Sequence, residues 1–413
     1  MDIQGVILFL LVLMLAALVV EPIARDVRLP FSAALVLVGF LGSELVVLFG
    51  ADTGIRWDNF SDIIFYVLLP VLVFESAFNM DAGRLLRNLF PILFLAIPVM
   101  VLTAGMIAVP LYYGIDHPGF PWIAALLTGA LLSATDPVAC LALFKRVGAP
   151  KRLIVLMEGE SLFNDATAIV LFAILLGVAR MPGDGPSTLT AVYAFLIVFF
   201  GGAFLGVMVA ALAAVIARFL AGTVQRGVLS LVCAYSAFLG AEHLHVSGVM
   251  AVLMAGLVMG AVLRADRAEE PLLSGLWTFN AYVADSALFL ITGVTVTLSM
   301  FSSQWLAILI GIGAVLMSRA VGIFGIVPLL GRLPGVEPID RRYQSVMVWG
   351  GLRGAVTLAL ALSIPAELDY WYTIQSVAYG VVLWTLFVQA PTMGLLLRRL
   401  AIRGDDATGG GSG

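Results

Sequence analysis

Glu158, Glu160, Ser161, Asn164 and Asp165 crowd into an otherwise apolar run, as Glu158-Gly159-Glu160-Ser161-Leu162-Phe163-Asn164-Asp165. On a helix, Ser161 and Asp165 fall one turn apart on one face, and Glu160 and Asn164 do the same on another. A second apolar run carries Ser133-Ala134-Thr135-Asp136-Pro137, and a third carries Gly350-Gly351-Leu352-Arg353-Gly354. With Glu75, the apolar runs hold the carboxylates Glu75, Asp136, Glu160 and Asp165, yet only Arg319 and Arg353 stand at comparable depth to answer them. An unpaired charge surrounded by hydrocarbon costs at least a few kcal/mol. Static pairing therefore leaves negative charge over. The expected arrangement pairs Glu160 with Arg353 and leaves Asp165 and Asp136 facing a cavity.

A carboxylate without a fixed partner in a semi-dry cavity is penalised when ionised. A proton relieves that penalty, and so does a monovalent cation, but the two compete for the same acid. The hydroxyls of Thr135 and Ser161, with carbonyls released by a broken helix, complete a hard oxygen shell of the kind that suits Na⁺. If the loaded site changes sides and the empty ionised site does not, exchange of cation for proton follows.

The elements that hold these residues are membrane-spanning helices. The 413 residues are 62% hydrophobic and 12% charged, with 22 Lys and Arg against 26 Asp and Glu. At about 20 apolar residues per crossing, that is material for about a dozen spans, whereas soluble chains carry about twice this charged fraction. A soluble enzyme and a disordered or fibrous chain are excluded. A net charge of -4 offers no basic field for nucleic acid, and the three His are too few for a His-built metal site. Cys140 and Cys233 both sit in apolar runs and form no disulfide framework.

Breaks rich in charge, Pro or Gly divide the chain into thirteen expected spans, at about 4–21, 30–50, 61–79, 88–113, 121–144, 153–178, 190–217, 226–241, 246–263, 276–298, 304–331, 343–365 and 371–397. They form one membrane transporter domain over 1–404, and the glycine-rich end at 405–413 reads as a flexible tail or a vector-derived scar. Eighteen of the 22 Lys and Arg fall in alternate breaks and at the C-terminal end; Arg56 and Arg180 fall in the opposite breaks, and Arg319 and Arg353 lie inside spans. The excess of cations on one side predicts a cytoplasmic C-terminus and an N-terminus outside. Two units of six spans separated by one linker span enter the membrane with opposite polarity, the arithmetic of an inverted repeat. Pro137 and the glycines around Arg353 then fall in the fifth span of each half, where they break the helix. Broken helices at matching places point to a transport site.

Thr135-Asp136-Pro137, Gly159-Glu160-Ser161-Leu162-Phe163-Asn164-Asp165 and Gly350-Gly351-Leu352-Arg353-Gly354-Ala355 together resemble the NhaP/NHE branch of the cation:proton antiporters. The resemblance covers nearly the whole membrane chain in the right order. It implies an all-α homodimer in the cell membrane, with a dimerisation domain of spans 1–3 and 7–10 (about 1–80 and 190–298). The mobile core would comprise spans 4–6 and 11–13 (about 88–178 and 304–397), with the broken helices of spans 5 and 12 crossing inside it. Asp165 is implied as the principal acid for ion and proton, with Asp136, Ser161 and the Thr135 backbone as co-ligands. Asn164 stands where electrogenic relatives carry a second Asp, and Glu160 with Arg353 matches a core salt bridge. Glu75 resembles an acid of the third span lining the approach, Arg319 the Arg of the eleventh span, and Asp285 an acid of the cytoplasmic funnel. No cofactor is implied beyond the transported Na⁺ or Li⁺ and H⁺. Because Asn164 does not titrate, one proton per cation and electroneutral exchange are expected.

A K⁺/H⁺ antiporter would use the same residues in a cavity of different size. A cation channel is the reading from another class, but channels build acidic rings from short repeated subunits with a filter sequence. An intramembrane aspartyl protease needs Tyr-Asp and Gly-x-Gly-Asp motifs that these spans lack. His117, His243 and His245 read as loop residues, and Gly201, Gly202 and Gly206 suit close helix packing, as at an oligomer interface.

Overall fold

The computed structural model describes residues 3–27, 29–48, 61–115, 117, 119–180, 188–263, 270–333, 336–400 and 402. The expected tail at 405–413 lies outside them, as do Arg28, Arg56, Arg264, Arg267 and Arg403. The described residues are all-α, without a strand. In chain order the helices are α1 (Ile3–Asp26), α2 (Phe31–Leu48), α3 (Ile64–Asn79), α4 (Leu89–Gly114), α5 (Trp122–Ser133), α6 (Val138–Val147), α7 (Lys151–Ala179) and α8 (Thr188–Ala217). They continue as α9 (Thr223–His243), α10 (Gly248–Leu263), α11 (Glu270–Thr295), α12 (Leu298–Leu330), α13 (Arg341–Trp349), α14 (Ala355–Leu362) and α15 (Trp371–Arg399). A short helix, Ala82–Arg87, joins α3 to α4 and is capped by Asp81, whose side chain accepts from the Arg84 N–H.

Six of these helices, α4, α7, α8, α9, α12 and α15, are long and apolar enough to cross a membrane. Helices α2, α3, α5 and α10 are shorter apolar helices. The outer surface matches a lipid solvent. On α8, Leu196, Phe200, Phe204, Met208 and Leu212 are all exposed at every fourth position, a stripe that water would not tolerate. The opposite face of α8 is built from small residues. A Cβ added at Gly206 would lie 2.8 Å from the Ala251 carbonyl carbon and Cα, so only glycine permits α8 and α10 to approach this closely. The close packing expected of these glycines at an oligomer interface is thus intramolecular at Gly202 and Gly206, which face Ser247 and Ala251 of the same chain.

The helices pack in two groups. In one, α2 lies on α1 and α11, α3 on α10 and α11, and α8 on α9 and α10. In the other, α4 packs on α5 and α12, α5 on α7 and α15, and α14 on α15 and α5. The groups meet where α7 touches α8 and α10, and where α11 touches α14. Two interruptions lie inside the second group. Helix α5 ends at Ser133 and α6 begins only at Val138, with Pro137, which has no N–H to continue the ladder, between them. Helix α13 ends at Trp349 and α14 begins at Ala355 across Gly350, Gly351 and Gly354. Outside the breaks, ordinary signals set the ends: Gly148, in the left-handed region at φ 69°, stops α6.

Candidate ion-binding site

The two unwound stretches touch. The Asp136 N–H donates to the Leu352 carbonyl at 2.8 Å, linking the strand of chain after α5 to the one before α14. The Asp136 carboxylate then serves both following half-helices: Oδ1 accepts from the Val138 N–H at 3.0 Å and Oδ2 from the Ala355 N–H at 3.4 Å. A single anion thus sits at the positive ends of α6 and α14, where free amides and helix dipoles favour it. Gly354 makes room for it, because a Cβ there would lie 2.6 Å from the Cβ and Cγ of Asp136.

The opposite need arises at the C-terminal end of α5, whose last carbonyls have no partners within the helix. Arg353 Nη1 donates to the carbonyls of Ser133 at 2.9 Å and Ala134 at 2.7 Å. Asn164 Nδ2 donates to the same Ser133 carbonyl at 3.0 Å, and the Thr357 hydroxyl to that of Leu131 at 3.0 Å. Thr385 holds the backbone of Arg353: its Oγ1 accepts from the Arg353 N–H at 3.2 Å, while its single proton goes to the Val382 carbonyl at 2.8 Å, with the Arg353 carbonyl a longer 3.3 Å away.

This corrects the expected ion pair. Glu160 is held by Arg319, not by Arg353: Arg319 Nη2 meets Oε2 at 2.9 Å, and Nη1 donates to Oε1. The pair is sealed, with side-chain exposures of 10% for Arg319 and 2% for Glu160, and Arg319 Nε also donates to the Met347 carbonyl at 3.2 Å. The physical reason lies in the break. Arg353 belongs to the unwound stretch that abuts the carbonyl end of α5, and those partial negative charges engage it first. Arg319, on α12, then completes Glu160.

Helix α7 places the remaining expected residues around the same break. The Ser161 hydroxyl donates to the Thr135 carbonyl, and Asn164 Nδ2 reaches the Thr135 hydroxyl at 3.3 Å. Asp165 is half-buried, within electrostatic reach of Asp136 and Arg353, and among the described residues its carboxylate makes no hydrogen bond or ion pair. Asp136 is less free than expected, since two amides hold it, but it does face a cavity. That cavity, about 270 Å³, is lined by Asp136, Asp285, Arg353, Phe31, Ser32 and Phe289 among others. Asp285 lies within electrostatic reach of both Asp136 and Glu75. Glu75 accepts from Asn79 Nδ2 at 2.8 Å on α3 and is not part of the cavity wall. A second cavity, about 630 Å³, opens at the other end of α14 and includes Leu360, Ser363 and, one turn beyond Asp165, Ile169.

Thr357 and Thr385 stand outside the sequence expectation. A Thr inside a helix ordinarily bonds its own preceding turn, as Thr385 also does at the Val382 carbonyl, and nothing in the spacing of either reports the distant backbone that it meets. The need for partners at the end of α5 was the available signal, since a helix that stops inside a membrane must satisfy its last carbonyls somewhere.

Residues 10–399 match the family described as sodium/hydrogen exchanger, transmembrane. The chain is 36% identical over 384 residues to the Na⁺/H⁺ antiporter ApNhaP of Aphanothece halophytica, covering 92% of this chain and 71% of that protein. It is 37% identical over 395 residues to the low-affinity Na⁺/H⁺ antiporter NhaS1 of Synechocystis sp., covering 93% and 72%. In fold it is similar to the solved structure of the sodium proton antiporter MjNhaP1 from Methanocaldococcus jannaschii at pH 8, with a TM-score of 0.78 at 22% identity over 97% of this chain and 99% of that one.

Proposed function

The chain belongs to the sodium/hydrogen exchanger family, and from that membership we propose that it is a multi-pass membrane antiporter exchanging Na⁺, or Li⁺, for H⁺ through competition of the two at Asp165. The observation that carries this reading is the unanswered carboxylate. Glu160 has Arg319, Asp136 has two amides and Arg353 has the carbonyls of α5, while Asp165 stands beside them without a hydrogen bond or ion pair among the described residues. A group in that position takes up whichever positive species the cavity supplies. Ser161 and Thr135 supply oxygens next to it, and Asp136 adds negative charge, which together make a shell for a small monovalent cation.

Alternating access finds support in the cavities at opposite ends of α14, one reaching Asp136 and the other the turn beyond Asp165. The division into a dimerisation part and a mobile core follows the two packing groups, with the helix breaks confined to the second. Thirteen spans in two inverted units remain the topology we favour: the six long helices are supplemented by shorter apolar helices and by the broken pairs α5–α6 and α13–α14. The bias of Lys and Arg toward alternate breaks supports a cytoplasmic C-terminus. A homodimer is proposed from the family resemblance.

Asn164 donates to the Ser133 carbonyl and does not titrate, so one acid changes its proton per cycle and exchange is electroneutral, one proton per cation. Na⁺ uptake into proteoliposomes tests both features. As pH falls on the acid side, half-saturating Na⁺ rises, by up to about tenfold per pH unit when one proton competes with one cation. An imposed membrane potential, with no ion gradient, drives no net exchange. Uptake whose Na⁺ affinity ignores pH would refute competition, and potential-driven exchange would refute the stoichiometry.

A further inference from the structure

Away from the ion site, a third recess of about 500 Å³ is lined by Arg84, Arg87, Lys151 and Arg152, with Asn88, Phe90, Pro91, Val336 and Glu337. Two of the four cations are answered: Arg84 by Asp81 at 3.2 Å and Arg152 by Glu337 at 2.9 Å. Arg152 also donates to the carbonyls of Pro338 at 2.9 Å and Glu337 at 2.7 Å, which fixes it as part of the wall. Arg87 and Lys151 have no carboxylate partner among the described residues. Lys151 opens α7, so the unpaired amides of that helix start add to the positive field. With four cations around the concavity and one lining carboxylate, Glu337, already taken by Arg152, the net positive charge left at Arg87 and Lys151 selects a phosphate or another compact anion.

The surroundings decide which phosphate. Phe90, in the wall, is 52% exposed, and Leu86, on the short helix beside Arg87, is 67% exposed. An apolar surface running directly from a cationic recess, on a chain whose exterior faces lipid, matches a headgroup joined to acyl chains and not a free anion. Basic pockets between helices at a membrane surface bind anionic headgroups by this arrangement. We propose that the recess binds the phosphate of an anionic phospholipid, held by Arg87 and Lys151, bordered by Arg84 and Arg152, with its chains lying over Leu86 and Phe90. The short helix that carries Arg84 and Arg87 is the connector between the two packing groups, so a bound lipid ties that connector to the start of α7.

Native mass spectrometry of the purified full-length protein tests this, with phosphatidylglycerol, phosphatidylcholine and inorganic phosphate as separate probes. Phosphatidylglycerol stays bound and phosphatidylcholine does not. The double variant Arg87→Gln/Lys151→Gln loses about tenfold in phosphatidylglycerol affinity, equivalent to about 1.4 kcal/mol. The charge-keeping variant Arg87→Lys/Lys151→Arg retains it, which guards against a folding defect, and Arg398→Gln/Arg399→Gln, which removes two cations from the end of α15, leaves it unchanged. Equal binding by the wild type and the Arg87→Gln/Lys151→Gln variant, or equal retention of both lipids, would overturn the proposal. Displacement of phosphatidylglycerol by inorganic phosphate of matching affinity would likewise overturn it in favour of a soluble anion.

Discussion

Removing Arg319 should damage the protein through Glu160, and through no other acid. The two groups meet at 2.9 Å with side-chain exposures of 10% and 2%. At that separation and an effective dielectric of about 20, the gross attraction is roughly 6 kcal/mol. Desolvation offsets much of it, but deleting one partner leaves the other charge buried and uncompensated, which costs about 3–5 kcal/mol. Arg319→Met is therefore expected to lower the thermal unfolding midpoint in detergent by roughly 4–6 °C, allowing for the smaller shift per kcal/mol in long chains. Adding Glu160→Gln to Arg319→Met removes the stranded charge and restores most of the loss, giving a coupling of at least about 2–3 kcal/mol in the double-mutant cycle. The same cycle between Glu160 and Arg353→Met gives less than about 1 kcal/mol, because Arg353 answers the α5 carbonyls. Tryptophan fluorescence during a thermal scan is a sufficient assay. Strong coupling of Glu160 to Arg353, with none to Arg319, would refute the reasoning.

Gly354→Ala brings a methyl group to 2.6 Å from the Cβ and Cγ of Asp136, so the carboxylate must leave the amides of Val138 and Ala355. Overpacking of this kind costs about 1–3 kcal/mol, and Na⁺-driven proton flux in everted vesicles should fall by about tenfold or more while the protein still inserts; unchanged flux would show that Asp136 is not held there. Asp285→Asn removes a negative charge from the wall of the cavity that reaches Asp136. Half-saturating Na⁺ should rise a few fold with little change in maximal rate, and the effect should shrink as ionic strength screens the cavity. A change confined to maximal rate would place Asp285 outside the approach path.

The helix breaks were legible because covalent chemistry imposes them: Pro137 has no N–H, and three glycines in five residues hold no helix against a neighbour that fills their space. That Ser161, Asn164 and Asp165 lie within about a turn of one another followed from helical spacing; that Ser161 and Asn164 reach Thr135 depends on the packing of α7 against the break. Which Arg answers Glu160 was not legible. Counting charges shows that the acids outnumber the cations, but the partner depends on which guanidinium lies at the open end of α5, and that is set by how the unwound stretches cross. The place of Asp285 is equally a property of packing: it depends on the rotation of α11 against α2, fixed where Gly293 meets Val36 and Gly39 across a contact that hydropathy does not report. Helix starts were read late at α11 and α12, since Glu270 and the serines of Leu298–Leu330 lower the local hydropathy without ending the helix.

The most direct measurement is dissipation of a preset pH gradient in proteoliposomes on addition of Na⁺, Li⁺ or K⁺, with wild-type protein beside Asp165→Asn. Asn has nearly the shape of Asp, and among the described residues the Asp165 carboxylate holds no hydrogen-bond or ion-pair partner that the substitution would strand. The wild type should dissipate the gradient with Na⁺ or Li⁺, and the variant should be inactive while unfolding at the same temperature. Cation-dependent dissipation that survives in the variant would contradict a central role for Asp165. A wild type that ignores every cation would contradict antiport itself.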